Sequence, residues 1–198
     1  MNYWLTTHRP RPKGTPASEP YCDVWVKDGQ WKVIEQLAPG DLVFIYESES
    51  GPLPLRRNAD GRTSAMQKSR GRAGVVALVR VMEHAAQPPE SREEQYDNGE
   101  QMWWRYFAPT EPVNSGGFVP RLAFLPLLGY STNWNLHGFG DNHFGVKRLT
   151  AEEFMLLRSA YEESAGRADA EQRATNAERA SFGGAGGEGA EQPAQAEW

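Results

Sequence analysis

The sequence contains little that would support a disulfide framework, a membrane anchor or export. It has a single cysteine, Cys22, in 198 residues, which excludes an internal disulfide and fits a reducing compartment. No apolar run is long enough to span a bilayer, and no signal peptide precedes the first predicted strand. We therefore expect a cytoplasmic protein with no membrane partner.

Residues that could form a catalytic centre are also scarce. An enzyme needs a nucleophile, a base and an orienting group that converge, yet the four histidines are scattered along the chain. His137 and His143 are six residues apart with Asp141 between them, a spacing that does not favour a metal site. Neither a phosphate-binding glycine loop with its lysine nor a dinucleotide fingerprint occurs. We expect no catalytic residues, no metal and no cofactor, and so a binding module.

Two short apolar runs dominate what is present. Residues 37–46 enter through a Pro-Gly-Asp turn, and residues 74–81 form a second run rich in valine. Such runs are typical of strands that are buried on both faces, because a half-exposed strand would alternate with polar residues. Thr150 and Glu153 form a capping box that predicts a helix with Phe154, Leu157 and Tyr161 on its apolar face.

The composition divides the chain into one folded domain, residues 1–164, and a tail, residues 165–198. The tail is rich in Ala, Gly and Glu and has almost no apolar side chains, so we expect it to be disordered. Within the domain, residues 83–101 and 133–143 are polar and are predicted to be loops.

A basic insertion spans about residues 47–73, between the two buried strands. Residues 52–72 contain six cations and only one acidic residue, Asp60. The cations are Arg56, Arg57, Arg62, Lys68, Arg70 and Arg72. A cluster of this kind is typical of phosphate binding, even in a chain with a net charge of −5. A solvated insertion that only keeps the protein soluble explains the same charges, and the sequence leaves both interpretations open.

Aromatic residues are plentiful, with seven tryptophans in the chain. Five of them, Trp25, Trp31, Trp103, Trp104 and Trp134, sit beside polar residues rather than inside apolar runs. An indole face suits stacking on a planar base. Because large aromatics are mostly buried for packing, we expect only one to three tryptophans to line a pocket.

The order of these segments resembles the EVE domain, a branch of the PUA-like superfamily related to the YTH and ASCH modules. The segments that carry the resemblance are Tyr3-Trp4-Leu5, Cys22 with Trp25, residues 39–48, residues 74–79, Trp103 or Trp104, Phe118-Val119-Pro120 and residues 149–154. The resemblance implies an α+β fold: a PUA-like mixed, partly open β-barrel with flanking helices, followed here by the disordered tail.

The resemblance also implies a function, the reading of a modified base of the 5-methylcytosine type. The base would be flipped from DNA into an aromatic pocket, while the basic insertion grips phosphates. By position, the pocket residues would be Trp25, Tyr46, Glu47, Ser48, Trp103 and Trp104. The sequence departs from the family's pattern after Trp25, where residues 26–30 lack the usual arginine and asparagine, and in the long insertion.

Two alternatives to DNA reading remain open from the sequence. The same pocket would accept modified RNA, since related PUA-like modules read RNA. A domain that senses a small molecule or docks a protein through its acidic C-terminal half would bind no nucleic acid at all. If the chain serves an enzyme, the catalytic partner, such as a nuclease, would be a separate chain with this one as its targeting module.

Overall fold

A computed structural model describes residues 1–11, 21, 23–27, 31–49, 51, 55–65, 71–86, 92–99, 101–114, 116–131 and 146–183. The elements in these ranges are β1 (Tyr3–His8), β2 (Val24–Lys27), α1 (Trp31–Ile34), β3 (Leu42–Glu47), β4 (Leu55–Arg57), β5 (Thr63–Ala65), β6 (Gly74–Val81), β7 (Arg92–Gln95), β8 (Gln101–Ala108), β9 (Thr110–Asn114), β10 (Val119–Pro120), α2 (Arg121–Leu127), β11 (Val146–Leu149) and α3 (Ala151–Gly183).

The main sheet has six strands in the order β10-β6-β3-β1-β11, with β9 paired to β6. β1 and β3 run parallel, and their register places Tyr3 beside Leu42 and His8 beside Glu47. The other pairings of this sheet are antiparallel. The carboxyl ends of β1 and β3 therefore meet at one edge of the sheet.

Strand β3 is buried along its whole length, as its apolar sequence predicted. On one face of the sheet, Phe44 packs against the rings of Phe154 and Tyr161 from α3. On the other face, Ile45 belongs to a cluster that includes Val24 and Ala108 of the three-stranded sheet β2-β8-β7. Each large side chain buried in this way stabilises the fold by roughly 1.5–3 kcal/mol. The prediction of a mixed α+β fold with a partly open sheet and flanking helices is confirmed.

Helix α3 begins where the capping box placed it. The Glu153 backbone N–H donates to Thr150 Oγ1 at 3.1 Å, and the Thr150 N–H donates to Glu153 Oε2 at 2.7 Å. These reciprocal bonds satisfy two of the donors that a helix start leaves unpaired. The apolar face then follows as predicted, because Phe154, Leu157 and Tyr161 are all buried.

The same helix corrects the boundary of the predicted disordered tail. α3 continues to Gly183, so residues 165–183 are helical, while residues 184–198 lie outside the described residues. The physical reason is that Ala, Glu, Gln and Arg all have high helix propensity, and extension of an anchored helix avoids the cost of a new nucleus. The tail's lack of apolar side chains did predict its exposure: residues 166–176 are exposed throughout.

Two further segments differ from the sequence predictions. Within residues 83–101, which were predicted to be loop, Arg92–Gln95 form strand β7, because pairing with β8 outweighs the polar composition of this segment. Within the basic insertion, β4 and β5 pair as a hairpin. The predicted loop at residues 133–143 lies outside the described residues. Among the described helices, none has an apolar stretch long enough to cross a membrane.

Candidate nucleic-acid interface

The site lies where β1 and β3 end side by side. The Ser48 backbone N–H donates to the His8 carbonyl at 2.9 Å, which extends the parallel pairing by one step beyond the strands. One connector continues from His8 to Arg11, and the other continues from Glu47 toward the hairpin β4–β5. Side chains that follow the two strands are thereby brought together.

Glu47 is the buried acid at this edge, with only 4% of its surface exposed. Its Oε1 accepts hydrogen bonds from the Tyr21 hydroxyl and from the Arg11 backbone N–H at 3.4 Å. Its Oε2 accepts from the Arg72 backbone N–H at 3.0 Å. Glu47 was predicted to read a base, but its carboxylate already binds three segments of its own chain.

Ser48, the next residue, presents the opposite situation. Its Oγ is shielded from solvent, and within the described residues it has no hydrogen-bond partner. A buried hydroxyl left unsatisfied costs on the order of 1–3 kcal/mol, so native structures rarely keep one without a reason. Ser48 was predicted to read the polar edge of a base, and its hydroxyl has both a donor and an acceptor to offer.

Arginine side chains lie over aromatic rings around this edge. The guanidinium carbon of Arg11 is 3.6 Å from the ring centroid of Tyr21, and that of Arg9 is 4.0 Å from the ring of Tyr96. Stacking of this kind uses the face of the guanidinium, whereas carboxylates and phosphates bind its N–H edges. It also holds a long side chain in one orientation.

Titratable groups at the edge have shifted pKa values. Burial, reinforced by the charge of Arg11, lowers the pKa of His8 to about 4, so this ring is neutral at pH 7. Burial, followed by the hydrogen bond to Glu47 and its charge, raises the pKa of Tyr21. Burial and the hydrogen bond to Glu94 raise the pKa of Tyr96 to about 12. The cations of the site are therefore arginines and not histidine.

Trp104 joins the site through Glu94. Its Nε1 donates to Glu94 Oε2 at 3.1 Å, and the Tyr96 hydroxyl donates to the same oxygen at 2.5 Å. Tyr96 in turn carries the stacked guanidinium of Arg9, which follows His8 directly. Of the six predicted pocket residues, Glu47 and Ser48 are neighbours at this edge, while the contacts of Trp104 lead through Glu94 and Tyr96 to Arg9.

Trp25 and Tyr46, two further residues of the predicted aromatic wall, make ring contacts with other residues. Tyr46 is buried in the core against Phe124, because the alternation of side chains along β3 directs it to the face opposite that of Glu47. Trp25 stacks on Phe107 at 4.9 Å, on the face of the small sheet that points away from the core. The side chain of Trp103 lies outside the described residues.

The cationic hairpin leaves the sheet next to Ser48. Arg56, Arg57 and Arg62 are exposed, and Arg62 forms a solvent-exposed ion pair with Asp60 at 4.0 Å. Lys68 and Arg70 lie outside the described residues. The hairpin returns to the sheet at Gly71, whose N–H donates to the Glu49 carbonyl at 2.9 Å and where a Cβ would lie only 1.8 Å from the Ser48 carbonyl oxygen.

Sequence reasoning missed Arg9, Arg11, Tyr21 and Tyr96. A signal for the first two was present, since Arg9 and Arg11 come directly after a strand-like segment that starts at residue 2. Only the parallel pairing of β1 with β3 brings the segment that follows β1 to Glu47, which accepts from the Arg11 N–H. Tyr96 could not have been found, because its segment was predicted to be a loop.

A shallow hollow lies at the opposite end of β1, between Asn2, Tyr3, Arg148 and Thr150. Buried Asp41 anchors this end of β1, because it accepts hydrogen bonds from the Asn2 N–H at 2.6 Å and from Trp4 Nε1 at 2.9 Å. The Asp41 carboxylate is thus occupied by its own chain, and this end of the sheet serves as a useful reference region. Within the described residues, no group of three or more His, Cys, Asp or Glu side chains could hold a metal ion.

Comparison with known proteins gives weak similarities. No family model matches this chain, and no curated protein matches it. Among solved structures, the chain is similar to human THYN1 protein in complex with 5-methylcytosine containing DNA, with a TM-score of 0.45 and 14% identity over 81% of this chain and 98% of that one. It is also similar to the NMR structure of Rpa0253 from Rhodopseudomonas palustris, with a TM-score of 0.45 and 14% identity over 82% of this chain and 94% of that one. Likeness at this level carries no argument about ligand or mechanism.

Proposed function

We propose that this chain binds nucleic acid and reads one modified base, of the 5-methylcytosine type in DNA, at the hydroxyl of Ser48. The observation that carries the proposal is the unpaired, shielded Ser48 Oγ at the point where a cationic hairpin leaves the sheet. The 5-methylcytosine type of base is what the resemblance to the EVE domain implies, and the site supplies the hydroxyl and the cations.

Charge supports nucleic acid as the ligand class. The chain has a net charge of −5, yet three exposed arginines lie together on the hairpin and Arg72 is exposed at its base. Arginine binds phosphate oxygens through two parallel N–H bonds, which makes it the preferred residue for such contacts. The hairpin would hold the backbone on either side of the base.

The chemistry at Ser48 supports the reading of a single base. A base stacked in a duplex cannot reach a hydroxyl inside the protein, so it must be flipped out at a cost of a few kcal/mol. A hydrogen bond to Ser48 Oγ would remove the desolvation cost that the unpaired hydroxyl carries. Because Oγ is shielded, the connectors that cover it must shift as the base enters.

Four matched oligonucleotides test the proposal. Fluorescence anisotropy would compare DNA and RNA of one sequence, each with and without one 5-methylcytosine, over a salt series that starts at about 50 mM. We expect the methylated DNA to bind most tightly and all affinities to fall as salt rises. Tighter binding of the methylated RNA would show that the ligand is RNA rather than DNA. Absence of binding at the lowest salt would refute nucleic-acid binding and favour the sensor or protein-docking alternative.

A further inference from the structure

Two arginines that are far apart in sequence are tied to one carboxylate. The backbone N–H of Arg11 donates to Glu47 Oε1, and that of Arg72 donates to Glu47 Oε2. One of them follows β1 and the other precedes β6, so Glu47 fixes the position of two connectors relative to each other. Both lie at the edge where Ser48 ends the parallel pairing.

The side chains of these two arginines are each held on a ring. Arg11 lies over Tyr21 at 3.6 Å, and Arg72 lies over Phe118 at 4.1 Å. Burial and Glu47 raise the pKa of Tyr21, whereas the charges of Arg11 and Arg72 both oppose that rise. Both guanidinium groups are therefore within electrostatic reach of the same phenol.

Glu47 does not use its charge to neutralise these arginines through an ion pair. Its hydrogen-bond partners in the described part of the chain are two backbone N–H groups and the Tyr21 hydroxyl, and none is a guanidinium. A carboxylate buried in this way costs free energy unless its hydrogen bonds offset the lost hydration. Its contribution is to fix the connectors, while the guanidinium group of the exposed Arg72 can turn its N–H edges outward.

We propose that Arg11 and Arg72 form a two-arginine clamp for a backbone phosphate next to the base at Ser48, and that Glu47 is the positioning residue that holds the clamp. This inference rests on the proposed function and names the phosphate contacts of the same site. The ligand chemistry is a phosphodiester, which the clamp would bind whatever base is attached to it.

The loss of a negative charge and the loss of the clamp's support would change the DNA affinity of a Glu47→Gln variant in opposite directions. Removal of a negative charge should strengthen binding to a polyanion if only charge matters. The clamp predicts weaker binding, by roughly tenfold, because the amide must turn an N–H toward one of the three donors and release that connector. The salt slope, the change of log affinity with log salt, should also become shallower by about one to two, since each lost phosphate contact contributes about 0.9.

Glu49→Gln is the matched control. Glu49 is exposed and lies two residues further along, and the substitution keeps the backbone carbonyl that accepts from the Gly71 N–H. The variant loses the same charge from the same edge, so it should bind as tightly as the unaltered chain or slightly more tightly. Opposite signs for the two variants would separate positioning from charge.

Arg11→Ala and Arg72→Ala test the clamp directly and keep the test valid if Glu47→Gln fails to fold. Each should make the salt slope shallower by about one and weaken methylated and unmethylated duplexes by the same factor. The clamp is overturned if the unaltered chain binds DNA while both arginine variants keep its salt slope, or if a folded Glu47→Gln variant binds as tightly as Glu49→Gln. If the unaltered chain binds no oligonucleotide, the proposed function itself has failed.

Discussion

At the scale of single residues, a substitution of Ser48 distinguishes a role in base recognition from a role in the stability of the fold. Ser48→Ala removes a hydroxyl that has no partner, so the free energy of unfolding should stay constant or rise by up to about 1 kcal/mol. The same change should reduce the preference for the methylated over the unmethylated duplex. Urea unfolding and anisotropy measure the two effects. A variant that loses stability but keeps its preference would assign Ser48 a structural role.

His8 predicts how stability depends on pH. Its pKa is about 4 in the folded chain, lowered by burial and by Arg11, against an ordinary value of 6.5. The unfolded chain therefore binds more protons between these values, and the stability that the neutral ring contributes is complete above pH 6.5 and is lost as the pH falls toward 4.

The expected loss between pH 7 and pH 4.5 is on the order of 1–2 kcal/mol. His8→Gln should flatten this part of the pH profile of the unfolding free energy, whereas His84→Gln, which alters an exposed ring, should not. Equal slopes in the unaltered chain and the His8 variant would rule out this role for His8.

At the scale of elements, we expect the hairpin β4–β5 to contact DNA phosphates, whatever base is bound. Arg56, Arg57 and Arg62 are exposed on it, so their triple replacement by alanine should make the salt slope of DNA binding shallower by up to about three. Preference for the methylated base should not change.

A control with the same change in charge is available on α3. Arg158, Arg167 and Arg173 lie on that helix, and their replacement by alanine should leave the salt slope as it is. If both triple variants behave alike, the hairpin is only a solvated insertion.

The start of α3 gives a prediction about stability. Thr150→Ala removes one half of the capping box and should lower the free energy of unfolding by about 1 kcal/mol. Thr175→Ala, in the exposed middle of the same helix, should be neutral or slightly stabilising, because alanine is the better helix former. Equal effects in thermal or urea unfolding would contradict the assigned cap.

Much of this element structure could be predicted from the sequence. The buried strands β3 and β6 and the start of α3 have strong local signals, namely continuous apolar runs and a capping box. Strand β7 has no such signal, and the exposed length of α3 has only the helix propensity of its residues. β7 depends on its pairing with β8, and the extension of α3 depends on helix propensity in a segment that buries nothing. The polar composition of these two segments indicates that they are exposed, but it does not indicate whether they are helix, strand or loop.

The candidate site was only partly predictable, for a geometric reason. Glu47 and Ser48 were found from their position at the end of a buried strand. Tyr46, one residue earlier, was assigned to the same pocket but faces the core, because neighbouring side chains in a strand point to opposite faces. Arg11 and Tyr21 reach Glu47 only through the pairing of strands, which the sequence does not reveal.

At the scale of the whole molecule, the proposed binding edge is a cationic region of an otherwise acidic chain. The edge lies at the carboxyl ends of β1 and β3, where Ser48, the arginine clamp and the base of the hairpin meet. The opposite end of β1, with Asn2 and Arg148, lies a strand's length away. In a binding experiment, the amino end of β1 can therefore serve as a reference for the proposed site at its carboxyl end.

Backbone amide chemical shifts in the presence of a duplex with one 5-methylcytosine test this placement most directly. The account predicts that the largest changes occur at His8, Arg11, Ser48 and Arg72, and that Asn2, Arg148 and Thr150 change little. Changes concentrated at the Asn2 and Arg148 end, or no changes at a saturating concentration of the duplex, would contradict it.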